Sequence, residues 1–393
     1  MLSSSQVTEL KTAIQNLVPR IRDIRHALHR QPEIHFNEFQ TRNRVRQELK
    51  GSSIQWHPNR LETDVVGDLI ADTAFETILL RADMDALPIS ETTNLPYQSE
   101  IPGMMHACGH DGHTSMMIGT ALILEQFRDL LPVNVRFVFQ PGEEMVAGGK
   151  KLVQAGVCDN IFSAYALHGG PGRPVNTVSS LPGTMLAAAE FFEVTFTGKG
   201  GHAAMPEQAN NPLPSLGRFL IAADAYHQDI RQKDGSVLTV AAVKGGDASN
   251  VIPEAVSCCG TARYLAPGLG KQIEKAVQDM AAAACTDGIT ATVRYETTYD
   301  QPLVNSPEAV SYLKETISHH LGTDIWRDEP AHTMASEDFA FYLKEVPGLM
   351  FWLGLGENWP GLHMPNFDFN DEVLELGILT FCLIALNHPA QGF

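Results

Sequence analysis

Positions 105 to 113 read Met105-His106-Ala107-Cys108-Gly109-His110-Asp111-Gly112-His113, setting three imidazoles, a thiol and a carboxylate within eight residues. Thiolate and imidazole together suit zinc, cobalt, nickel or manganese better than magnesium or calcium. Cys108 and His110 are two positions apart, so a loop or strand end can aim both at one point. A free core cysteine beside helix-capping histidines explains any one of these residues, since buried structural cysteines are common. It does not explain the cluster jointly.

Downstream, Phe139-Gln140-Pro141-Gly142-Glu143-Glu144 places adjacent carboxylates directly after a strand-like run. A Pro-Gly exit fixes their directions, and strand alternation sends neighbouring side chains different ways. One glutamate can then bind metal while the other stays free as a base. A water activated by metal still needs a group to take its proton during attack. Asp83 and Asp85, in Arg81-Ala82-Asp83-Met84-Asp85, share a face and are placed to orient a ligating imidazole through its second nitrogen. His168 ends the apolar run Ala166-Leu167-His168, and His363 lies in Gly361-Leu362-His363-Met364-Pro365. A lone histidine in such a place is more often hydrogen-bonded structure than ligand.

These residues need a scaffold. Leu10, Ile14, Leu17, Ile21 and Ile24 recur at helical spacing from about Gln6 to Arg30, and Pro32 ends the run. From about Val65 strands and helices alternate. Val65 to Ile70, Thr77 to Arg81, Val133 to Phe139 and Ala164 to Leu167 read as strands, and Asp111 to Phe127 as a helix. The pattern predicts an α/β domain whose mixed, mostly parallel central sheet is flanked by helices. Sites in such sheets gather where loops leave the carboxyl ends of strands, where the polar clusters fall.

Near residue 187 the rhythm changes. Phe191 to Thr197, Val237 to Val243, Ala255 to Leu265 and Thr290 to Tyr299 read as strands, and Pro212 to Tyr226 and Gly268 to Cys285 as helices. The order β-α-β-β-α-β is that of a ferredoxin-like α+β unit. The first pattern resumes after Pro302, with Gly348 to Leu353 a buried strand. The predicted division is therefore a catalytic domain of 1–186 and 299–393, with 187–298 inserted into it.

At 393 residues the chain has room for two domains. Lys and Arg number 28 against 46 Asp and Glu, a formal charge of -18, which disfavours a nucleic-acid partner. The start, MLSSSQVTELKTAIQNLV, lacks the basic residues and unbroken apolar core of a signal peptide. No run approaches the roughly 18 apolar residues of a membrane helix. Six cysteines scattered through so long a chain do not read as a disulfide framework. The expectation is a cytoplasmic protein with neither membrane nor nucleic acid as partner.

Eight segments in order carry a resemblance over nearly the whole chain. They are RHALHRQPEIHFNE (25–38), LRADMDALPI (80–89), MHACGHDGHT (105–114), FQPGEE (139–144), LHGGPG (167–172), GKGGHAAMPE (198–207), SNVIPE (249–254) and SEDFAFY (336–342). The set resembles the aminoacylase and carboxypeptidase family of dinuclear metallohydrolases. Within it, the branch is that of hippurate hydrolase, bacterial N-acyl-amino-acid amidohydrolases and plant auxin-conjugate hydrolases. The resemblance implies two divalent metal ions per subunit (manganese, zinc, cobalt or nickel) on Cys108, His110, Glu144, His168 and His363. Glu143 would be the general base that also delivers the proton to the leaving amine. Where relatives have His-x-Asp this chain has Asp83-Met84-Asp85, so no histidine ligand is carried over there, and Asp85 belongs behind the ligands of the catalytic site. Cys108 takes the place of a bridging carboxylate.

His202 resembles the family histidine that reaches a partner subunit's active site to stabilise the oxyanion. Asn250 resembles a residue near the same oxygen, and Arg263 is a candidate clamp for the substrate carboxylate. The plain alternatives are a turn residue for His202 and a surface strand residue for Arg263. The implied reaction is hydrolysis of an N-acyl amino acid by a homodimer or tetramer, with the inserted domain acting as lid and dimerisation surface. A dipeptidase or carboxypeptidase acting on a dipeptide-like substrate with the same metals is the first alternative. A non-catalytic metal-binding or ligand-sensing relative is the second, although a binder has no use for Glu143.

Overall fold

The N-terminal periodicity forms one helix, Ser4–Arg30, in the computed structural model, which describes residues 1–389. Ser3 and Gln6 close its N-terminus as a capping box. Leu10, Ile14, Ile21 and Ile24 are buried along its inner face. It lies against the helix His110–Gln126, whose first residue is a candidate ligand.

The central sheet has eight strands. In spatial order they are Gln55–Trp56, Val65–Leu69, Asn134–Gln140, Thr77–Asp83, Ile161–Pro171, Gly348–Gly356, Val178–Ser180 and Trp326–Asp328. The four in the middle, from Asn134–Gln140 to Gly348–Gly356, run parallel to one another. Antiparallel pairings occur only towards the edges. The middle strands are buried almost throughout, which is why their sequences are near-continuous apolar runs. Parallel register brings their carboxyl ends to one side of the sheet: Asp83 is level with Gln140, and His168 with Trp352.

Two local elements differ from the sequence pattern. His168 lies inside a strand rather than at its end, because the ladder continues with Gly169 opposite Leu353 and Gly170 opposite Gly354. Glu143 and Glu144 do not continue a strand. They sit in the four-residue helix Glu143–Val146, so helical rotation and not alternation separates their side chains. The apolar helix Leu374–Asn387 is buried at every residue except Glu375. Among the described residues no helix is long and apolar enough to cross a membrane.

The chain divides into two compact units, one of Met1–Met185, Val304–Ala331 and the chain from Asp338, the other of Leu186–Leu303 with His332–Glu337. In the second unit Val237–Lys244, Ala255–Tyr264, Ala188–Thr197 and Thr290–Tyr299 lie side by side in that order, all antiparallel. With helices Leu213–Asp234 and Leu269–Ala284 they follow the order β-α-β-β-α-β. Phe196, Phe219, Ile273 and Val277 belong to a core of its own. His332–Glu337, which the sequence pattern groups with the larger domain, is held in this unit by bonds from Ala187 N to Thr333 O and Ala335 O.

Candidate metal centre

Three loops at the carboxyl ends of the middle strands, together with His168 on the strand Ile161–Pro171, bring the candidate donors together. Gly109, at φ 88°, turns the chain from Cys108 into the helix that His110 begins. The left-handed conformation suits glycine, and a Cβ there would lie 2.8 Å from the Phe369 ring. Gly142 (φ 66°) and Ala147 (φ 47°) bracket the turn carrying Glu143 and Glu144. His363, at φ 62°, donates its backbone N–H to Ala107 O at 2.8 Å, which ties its loop to the residue before Cys108.

Cys108 Sγ lies 3.4 Å from His168 Nε2, and Glu144 Oε1 lies 3.2 Å from His363 Nε2 and 3.9 Å from His110 Nε2. With bonds of about 2.0 to 2.3 Å, tetrahedral ligands of one ion are about 3.5 Å apart. The donor atoms of Cys108, His110 and His168 fall within 4.8 Å of one another, as do those of Cys108, Glu144 and His363. Cys108 is common to both triplets. His110 Nε2 and Glu144 Oε1 are buried without a hydrogen-bond partner among the described residues. Orphaned polar atoms in a buried site are costly unless something binds them.

The histidine tautomers suit ligation. His110 Nδ1 donates to the backbone carbonyl of Asp85 at 2.9 Å and His168 Nδ1 to that of Gly169 at 2.9 Å. Each then turns Nε2 towards the shared point. Asp85 thus orients His110 mainly through its peptide; its carboxylate, expected to do so, is 3.3 Å from the same nitrogen and has other partners. Asp85 Oδ1 and Oδ2 accept the backbone N–H groups of Glu143 and Glu144, each at 3.0 Å.

The electrostatics of the site call for positive charge. Burial opposes protonation of His110, but Asp83, Asp85 and Glu144 outweigh it and raise its pKa to about 10. Burial, with the carboxylates of Glu144, Glu143 and Asp83, pushes the Cys108 thiol well above its ordinary range. Burial beside His113 holds His168 well below the usual imidazole value. A cation reverses the pull on the thiol and the imidazole of His110, favouring thiolate and neutral ring. The donor set therefore fits divalent metal.

Behind the donors is a buried charged layer, only part of which is visible in the sequence pattern. Asp83 accepts from Arg81 Nη1 at 2.6 Å; Arg81 Nη2 reaches Asp338 Oδ1 at 2.9 Å, which also accepts from Gln140 Nε2 at 2.8 Å. Glu38 accepts the Gly142 N–H at 3.0 Å, and burial near Asp85 raises its pKa to about 7. Arg25 forms ion pairs with Asp111, Asp368 and Asp371 at 2.6 to 3.1 Å, fastening the stretch after His363 to the helix that starts at His110. The signal for such residues is a charge inside an apolar run, as with Arg81 in Ile78-Leu79-Leu80-Arg81.

In the second unit, His202 is exposed on the two-residue strand Gly201–His202, opposite Val251. Its Nδ1 accepts from Ala204 N at 3.1 Å, and Ala203 N donates to Asn250 O at 3.0 Å, so His202 and Asn250 share one corner. Arg263 is partly buried on Ala255–Tyr264 and donates to Met334 O at 2.6 Å.

Residues 79–387 match the model of peptidase family M20/M25/M40. The chain is 34% identical over 367 residues to the N-acetyl-L-cysteine deacetylase of Bacillus subtilis, across 92% of this chain and 86% of that one. It is 35% identical over 374 residues to IAA-amino acid hydrolase ILR1-like 5 of Arabidopsis thaliana, across 93% and 86%. The crystal structure of the Bacillus subtilis YXEP protein, a dinuclear metal binding peptidase from the M20 family, superposes with a TM-score of 0.80 at 29% identity, covering 95% of this chain and 98% of that one.

Proposed function

The chain belongs to peptidase family M20/M25/M40 and is a metallo-amidohydrolase, and on that premise we propose that it cleaves N-acyl amino acids into a carboxylic acid and a free amino acid. The observation that carries the reading is Cys108, itself buried and common to two donor triplets, with Glu143 beside them. Cys108, His110, Glu144, His168 and His363 would hold two divalent ions. Such ions supply Lewis acidity to the scissile carbonyl and a site for the nucleophilic water.

The remaining chemistry belongs to the chain. Glu143 takes the proton of the attacking water and returns it to the leaving nitrogen as the C–N bond breaks. Asp85 is a positioning residue, holding the backbone of Glu143 and Glu144. The second unit would be a ferredoxin-like lid and dimerisation domain. From it His202 and Asn250 would stabilise the oxyanion, and Arg263 would take the substrate carboxylate. The names of the deacetylase and the auxin-conjugate hydrolase support an acyl substrate.

Metal analysis of the purified protein, paired with a panel of N-acetyl and N-benzoyl amino acids beside dipeptides, tests the reading. Metal-dependent turnover of the acyl compounds above that of the dipeptides is expected. Preference for dipeptides would replace it with the exopeptidase reading.

A further inference from the structure

His113 lies buried on the helix His110–Gln126, one turn after His110. Its proximity to Asp83 and His110 makes it a formal candidate ligand, but both ring nitrogens are already engaged. Nδ1 is 2.7 Å from Asp83 Oδ1, and Nε2 is 2.9 Å from the backbone N of Gly169. An amide N–H can only donate, so Nε2 must be the unprotonated nitrogen and Nδ1–H must donate to Asp83. The lone pair that could bind metal is given to a peptide.

That peptide immediately follows His168. The carbonyl of Gly169 accepts His168 Nδ1–H at 2.9 Å, while His168 Nε2 faces Cys108 Sγ at 3.4 Å. One glycine is therefore held at its N–H by one imidazole and sets the direction of another through its C=O. The two rings also meet edge to face, with centroids 4.6 Å apart. At the far end Asp83 is fixed by Arg81, and Arg81 by Asp338, all buried. A Cβ on Gly169 would lie 3.0 Å from carbons of both Leu355 and Phe369, so the peptide is also confined from that side.

We propose that His113 is a positioning residue for the metal ligand His168, acting through the Gly169 peptide. The line Asp338–Arg81–Asp83–His113–Gly169–His168 transmits the rigidity of the sheet to a ligand whose Nδ1 is anchored on the Gly169 carbonyl. The inference rests on the reading of His168 as a ligand.

The test uses full-length His113→Asn, His113→Gln and His168→Ala, stripped of metal and titrated with cobalt(II). Stoichiometry, dissociation constants, the visible spectrum and the melting temperature of the metal-free proteins are measured. Glutamine can place an acceptor oxygen where Nε2 stands; asparagine is too short. His113→Asn should weaken one cobalt equivalent on the order of 10- to 100-fold and alter the spectrum, and His113→Gln should recover most of that loss. Equal affinity in His113→Asn and wild type, with only the metal-free melting temperature lowered, means plain packing and overturns the proposal. So does an equal loss in both His113 variants. If His113→Asn does not fold, His113→Gln decides alone: near-wild-type affinity supports the proposal and a loss as large as that of His168→Ala overturns it. If His168→Ala keeps both equivalents, the ligand assignment falls first and the inference with it.

Discussion

Asp85 Oδ1 accepts the backbone N–H of Glu143 at 3.0 Å, and its second oxygen holds Glu144 in the same way. A single carboxylate thus fixes the backbone of the proposed base and of a proposed ligand at the free N–H end of their short helix. Asp85→Asn turns one acceptor into a donor facing an N–H. The expected result is a fall in kcat on the order of 10- to 100-fold, with KM little changed and the fold retained. A kcat equal to wild type would remove Asp85 from the machinery.

Metal removal should cost both activity and stability. Restoring metal to about 100 times its dissociation constant should stabilise the stripped protein by about 2.7 kcal/mol per site. In Cys108→Ser the regained stability should be smaller for zinc and cobalt, because a hydroxyl is a harder, less acidic donor than a thiol. Thermal melting at matched free metal measures this. Identical gains in the two proteins would exclude Cys108 as a ligand.

The buried pair of His29 and Asp111 predicts a pH-dependent stability. Burial disfavours charge on His29, but Asp111 and Glu91 prevail and raise its pKa to about 9. The folded value exceeds the unfolded one, about 6.5, so the contribution is complete below that pH and is lost as pH rises through 9. Each tenfold gain in proton affinity is worth about 1.4 kcal/mol, which puts the contribution on the order of 3 kcal/mol. Denaturant unfolding between pH 6 and 10 should show the decline in wild type and a flatter curve in His29→Gln. Parallel curves would contradict the assignment.

Gly112 tests the packing behind the site. A Cβ there would fall 2.6 to 2.7 Å from atoms of the Phe369 ring, a rigid neighbour. Gly112→Ala should destabilise by about 1 to 3 kcal/mol despite alanine's better helix propensity. A stabilised variant would mean that the ring can move aside.

The donors were legible because their chemistry is unusual for their setting. Cys108, His110 and Glu144 stood in dense motifs, and His168 and His363, weak alone, joined them through the resemblance. The structure brings all five to one place. The support was less legible. Arg81 and Asp338 are 257 positions apart and meet only in the folded chain. The anchoring of Gly169 by His113 is a backbone contact that side-chain types do not announce. Glu143–Val146 spans four residues, too few for a helical period to appear. Likewise His332–Glu337 joins the second unit through main-chain bonds that carry no sequence pattern.

Glu143 as the base is tested best by the turnover of Glu143→Gln with its metal content measured on the same sample. The glutamine preserves shape but has no basic oxygen for the attacking water. Two metal equivalents should be retained and kcat lowered on the order of 10²- to 10⁴-fold. A metal-loaded variant turning over at close to the wild-type rate would contradict the proposed mechanism.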